Sequence, residues 1–154
     1  MTMKGWIQFI IAMATAGIMV SCDFAQAINP SSAEGVAESF SKEYFNLRYR
    51  NAAKYCTKDS EPWLRFATSQ ISNEDIEILK TATDEAEIEI EKVEGGDNES
   101  TVTVTVSNYF ETDTIGKCGH FTSRGTFRLK LVKENNAWKV RMANLPRNEK
   151  QNPV

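Results

Sequence analysis

The chain has 154 residues, with 18 Lys and Arg against 21 Asp and Glu and a formal charge of −3. Such a mildly acidic balance gives no broad electrostatic reason to seek nucleic acid. The length suits one domain with a real core and not two, and neither an internal repeat nor a long biased run divides it.

From Gly5 to Val20 the chain is apolar apart from Gln8 and Thr15, follows the single cation Lys4, and ends in small residues before Cys22. That is the three-part layout of a secretory signal. Sixteen helical residues span about 24 Å, short of the roughly 30 Å hydrocarbon core, which disfavours a permanent transmembrane helix. Met19, Val20, Ser21 and Cys22 resemble the lipobox of bacterial lipoproteins. The resemblance implies a diacylglycerol on the Cys22 thiol, cleavage just before it, and firm attachment to a membrane of the bacterial cell envelope through several acyl chains. The alternative is a plain secretory signal cut near Ala25, Gln26 and Ala27. The expected division is a signal peptide over 1–21, a lipidated tether over 22–30, an α+β domain over 31–145 and a polar tail over 146–154.

The domain opens on Ser31 with Glu34 three residues later, a capping-box pattern at a helix start. Val36, Phe40, Tyr44 and Leu47 then form one apolar stripe at helical spacing. Residues 51–56 read as a short second helical piece. A third helix starts after Ser60, its expected cap, with Pro62 in the first turn where a missing amide costs least. Asn73 to Lys80 adds another turn or two.

The period then changes to two. Ala86, Ile88 and Ile90 alternate with glutamates, and Val102, Val104 and Val106 alternate with threonines, as in half-buried strands. The glycines and polar residues between the two runs read as a hairpin. A third strand turns Phe127, Leu129 and Leu131 inward, and a fourth, after a Lys133 to Ala137 turn, does so with Trp138, Val140 and Met142. Helices followed by an antiparallel sheet of about four strands with one dry face predict an α+β packing, the Phe40 and Tyr44 stripe covering that face.

In its layout from Ser31 to Leu145, and in the closing segment Asn135 to Met142 where a tryptophan opens the last strand after a turn, the chain resembles the nuclear transport factor two-like (cystatin-like) superfamily of α+β rolls. It is similar in particular to small envelope lipoproteins of that superfamily. The resemblance implies a conical cavity between sheet and helices, with Phe40, Tyr44, Trp63, Val104, Leu129 and Trp138 in its lining and Trp138 at its base.

With Cys22 carrying lipid, Cys56 and Cys118 remain. An even remainder in an exported chain favours a disulfide between them, the other reading being two unrelated buried cysteines. The inward strand positions carry no carboxylate, and the one histidine, His120, lies in a glycine-flanked connection with Asp113 as the nearest acid. No catalytic residue is therefore assigned. The spacing of His, Cys and acidic residues defines no metal site, and no cofactor is implied. Asp113 to Ile115 resembles a short bacterial O-glycosylation signal, a three-residue match. The expected function is a lipid-anchored, non-enzymatic domain that binds a small apolar ligand or serves a protein partner. The alternatives are a cavity enzyme of the isomerase or cyclase type and an interaction factor of an envelope complex or immunity type.

Overall fold

The computed structural model describes residues 29–151. Cys22, the expected signal segment and most of the expected tether lie outside the described residues. Helix α1 (Ala33–Phe45) is followed by α2 (Tyr49–Ala52), two 3-10 turns, α3 (Glu61–Ser69) and α4 (Asn73–Leu79). Strands β1 (Glu87–Gly95), β2 (Glu99–Glu111), β3 (His120–Glu134) and β4 (Ala137–Val140) make one antiparallel sheet in sequence order. The expected layout, helices first and then a four-stranded antiparallel sheet with one dry face, is the one observed.

Ser32, not Ser31, caps α1: its hydroxyl accepts from the Gly35 amide at 3.0 Å. The Ser31 amide is instead taken by Asn29 Oδ1 at 3.0 Å. The backbone of Asn29 and Pro30 lies directly on Gly35, leaving no space for a Cβ there. The stripe Val36, Phe40 and Tyr44 is buried as expected. Leu47 falls beyond the helix, in a left-handed conformation at φ 60°. Between them, Asn46 ends α1 and accepts from the Ala86 amide at 2.8 Å, tying the helix to the approach to β1.

Ser60 precedes α3 and Pro62 sits in its first turn, but the serine makes no cap bond. Its hydroxyl accepts from the Met142 amide at 2.9 Å, which joins the helical half to the chain just after β4. The neighbouring Thr57 amide donates to Val140 O at 2.9 Å, so this segment covers part of the β4 edge. α4 carries a full capping box between Ser72 and Asp75. The buried Asp75 also accepts from the Gly119 amide at 2.7 Å, which pins the β2–β3 connection to the helix.

In the sheet, Ile88 and Ile90 face Val106 and Val104, while Val104 and Val102 face Phe127 and Leu129. These rows and α1 form the core. The register slips at Glu91, a bulge that leaves its carboxylate accepting from the buried Thr105 hydroxyl on the outer face. On that face Arg124 reaches Glu89 across the threonine strand at 3.3 Å. Such exposed pairs contribute at most about 1 kcal/mol. Asn135 and Asn136, both at positive φ, make the two-residue β3–β4 turn.

The bend in β2 and β3 positions the site. Asn108 adopts φ 53°, which breaks the alternation and turns Tyr109 inward, where it is buried against Phe45 and Phe127. On the neighbouring strand β3, Gly125, which pairs with Val106, has no Cβ and so leaves the room that the Tyr109 hydroxyl and Asn148 occupy. Asn148 is itself buried: it accepts from the Thr126 amide at 3.2 Å and donates to Tyr109 Oη at 3.4 Å. Residues 146–151, part of the expected polar tail over 146–154, lie against the sheet through Asn148 and through Glu149, which pairs with Arg128 at 3.5 Å.

Candidate functional site

Where the C-terminal end of α1 meets α2, α3 and the bent part of β2 and β3, the chain leaves a cavity of about 520 Å³. Its wall is aromatic: Tyr44, Tyr49, Trp63, Phe66, Tyr109 and Phe127 all contribute. Residues 144–148 close another side. The rings brace one another. Tyr44 stacks on Phe40 at 5.3 Å between centroids and meets Tyr49 edge-on at 5.2 Å, while Phe45 packs on Phe127 at 4.5 Å. Volume and lining fall in the range of small-molecule sites.

Burial pushes the Tyr44 phenol well above its ordinary pKa, with Tyr49 and Cys56 adding to the effect, and pushes Tyr49 up to about 12. Both are therefore neutral hydrogen-bond donors at any physiological pH. Tyr109 is raised as well, chiefly by burial, and its hydroxyl is engaged by Asn148. The charged residues of the wall are Glu111 and Arg147. Glu111 accepts from the Thr122 hydroxyl at 3.0 Å. The wall holds no histidine, aspartate or cysteine, and Glu111 is its one carboxylate. What it can do is stack on a flat apolar surface and donate hydrogen bonds.

Of the residues expected to line a cavity, Tyr44 and Trp63 stand in this wall. Phe40 and Val104 are fully buried behind it, and Leu129 is buried in the core. Trp138 is half-buried at the hairpin end of the sheet, with Lys133 Nζ 5.6 Å from its ring centroid. It is not at the base of this cavity, because β4 stops at Val140 and its tryptophan sits beside the turn. Phe45, Tyr109 and Asn148 are wall residues that alternation alone misses; the asparagine before Tyr109 and the glycine at 125 are the signals that would have found Tyr109.

The expected Cys56–Cys118 bond is a further correction. Both thiols are free, Cys56 buried and Cys118 exposed. Cys56 bridges to Val140, which pairs with Leu131, whereas Cys118 lies just before His120 at the other end of β3. Eleven strand residues cover roughly 36 Å, far beyond the roughly 7 Å that a disulfide tolerates between Cα atoms. Burial raises the Cys56 pKa to about 12, and its thiol donates to Ala52 O at 3.5 Å. His120 is exposed and opens β3 opposite Glu111. Asp113 accepts from the Thr114 amide at 2.6 Å in the exposed β2–β3 connection, whose Ile115 is wholly solvent-facing. Among the described residues no three His, Cys, Asp or Glu side chains converge as metal ligands, and no helix is long and apolar enough to cross a membrane.

No family model matches the chain and no curated protein does. Among solved structures, the chain is similar to a Campylobacter jejuni protein described as an NTF2-like transpeptidase. The two are 17% identical, and the match spans 73% of this chain and 99% of that one at a TM-score of 0.44. No activity is carried over from a likeness at that level.

Proposed function

We propose that the chain is a lipid-anchored protein of the bacterial cell envelope whose domain holds a small apolar ligand in the aromatic cavity and does no chemistry on it. The observation that carries the reading is the wall itself: eight aromatic residues around about 520 Å³, with Glu111 as its single carboxylate. An open, ring-lined cavity favours a ligand over a protein-only interaction role, since a filled interior would leave nothing to bind. The anchoring half of the proposal rests on the Met19 to Cys22 stretch.

Two measurements test the two halves separately. Full-length chain purified from membranes in mild detergent is extracted and the extract examined by mass spectrometry, alongside a Trp63→Ala, Phe66→Ala variant. A co-purifying apolar molecule that the variant loses supports the ligand reading, and an identical extract from both refutes it. Cells expressing Cys22→Ala are fractionated after labelling with radioactive palmitate. Loss of label and of membrane recovery is the expected result; undiminished labelling removes the anchor.

A further inference from the structure

Ion pairs are spread unevenly over the surface. Lys80 meets Glu77, Lys92 meets Glu94 and Arg124 meets Glu89. At the edge formed by β4 and the segment that covers it, Lys54, Lys58, Lys133 and Lys139 have no acidic partner among the described residues. The fold brings these four together. The Lys139 ammonium donates to Lys54 O at 2.7 Å, the Thr57 amide beside Lys58 donates to Val140 O at 2.9 Å, and Lys133 pairs with Trp138 across the hairpin. The acids alongside are Asp59 and Glu134, both taken by Arg141, and Glu99, two strands in from β4. Trp138 is packed on the core but only half-buried, with Lys133 Nζ 5.6 Å from its ring centroid. An indole between core and water, among ammonium groups that no carboxylate neutralises, suits the headgroup level of an anionic bilayer.

We infer that the β4 edge, with Trp138 and the ammonium groups of Lys54, Lys58, Lys133 and Lys139, is the face that lies on the membrane and takes anionic phospholipid headgroups. The orientation rests on the anchoring half of the proposed function and adds to it which face meets lipid. Cys22 stands seven residues before Asn29, a reach of about 25 Å at full extension, and α1, which follows, packs against β4. A tether that short favours lipid over an acidic protein as the occupant. Each lysine near an anionic surface strengthens the attraction about fivefold.

The test places the full chain in vesicles of phosphatidylcholine brominated near the headgroup end of its acyl chains, with or without phosphatidylglycerol, and follows tryptophan quenching. The contribution of Trp138 is the difference between wild type and Trp138→Phe. It should be large with phosphatidylglycerol, small without it, and reversed by high salt. Lys54→Gln with Lys58→Gln and Lys133→Gln should remove it, whereas Lys80→Gln with Lys92→Gln and Lys117→Gln, which takes the same charge from elsewhere, should not. Equal quenching of wild type and Trp138→Phe, quenching indifferent to phosphatidylglycerol, or equal effects of the two triple variants would overturn the inference; an unquenched Trp138 in both vesicles would leave the patch to an acidic protein. Thermal melts show that each variant is folded. Intact mass of the same samples reports the acyl chains, so a missing lipid removes the anchor reading by itself, while the quenching still decides the surface.

Discussion

Gly125→Ala probes the bend that shapes the cavity. A Cβ at that position would lie 2.5 Å from Tyr109 Oη, 2.9 Å from Asn148 Nδ2 and 3.1 Å from Asn148 Cγ. Ordinary carbon contacts are about 3.5 to 4.0 Å, so the phenol must retreat by about 1 Å, and it is held from behind by Phe45 and Phe127. Overpacking of this kind costs about 1 to 3 kcal/mol. Displacing Asn148 weakens its bonds to Tyr109 and Thr126, at about 1 kcal/mol each. The expected loss is about 2 to 4 kcal/mol, which in a domain of this size lowers Tm by roughly 10 °C. Melts of the purified full chain measure it. The decisive control is Gly125→Ala in a Tyr109→Phe background, where the nearest atom is gone and the cost should fall by at least about 1 kcal/mol, a coupling well above additivity error. Additive losses, or a single variant melting within about 2 °C of wild type, would refute the placement of Tyr109 over Gly125.

Three other outcomes follow from side chains described above. Asp75 is held below the usual carboxylate range first by the Ser72 amide and then, against the cost of its burial, by the Gly119 amide. Its stabilisation is complete above the unfolded value of about 3.9 and is lost as pH falls through the folded pKa. The Tm gap between wild type and Asp75→Asn should therefore be largest near neutrality, equivalent to about 1 to 3 kcal/mol, and close in acid; a gap that widens on acidification contradicts this. Ser41 Oγ is buried in α1 without a partner, so Ser41→Ala should raise stability by about 1 kcal/mol through relief of desolvation and better helix propensity, and a lower Tm would show an unseen bond. Trp138→Ala should cost about 1.5 to 3 kcal/mol because the ring is half-buried, whereas Phe40→Ala, fully buried, should cost about 3 to 5; equal losses in denaturant titrations would place Trp138 in the core.

Periodicity carried most of the fold. The valines of β2 and the Phe127, Leu129 and Leu131 row of β3 are buried as their alternation predicts, because a register slip would turn a whole row into water. Neighbouring choices were less legible. Ser31 and Ser32 offer the same hydroxyl, and only the backbone path of Asn29 selects the second as cap. Ser60 has the look of a cap, yet its hydroxyl is recruited by Met142, 82 residues away, a tertiary bond that local pattern cannot announce. The cavity suffered most. Tyr44 and Trp63 follow from helix stripes, but Tyr109 is inward only because Asn108 is left-handed, and Asn148 sits in a segment whose polarity hides its burial. The cysteines failed for another reason: parity of count says nothing about which end of a strand each occupies.

Tyr109, Gly125 and Asn148 come from three separate stretches of chain and occupy one another's space. Drift at any one of them is thus constrained by the other two. A descendant that acquires a side chain at 125 must shrink or lose the ring at 109, and one that loses the amide at 148 leaves the Thr126 N–H and the Tyr109 hydroxyl to water. The three positions should be inherited as a unit, so that in any set of relatives a glycine at 125 travels with an aromatic at 109, and the departure of one marks lineages in which this cavity has been reshaped or given up.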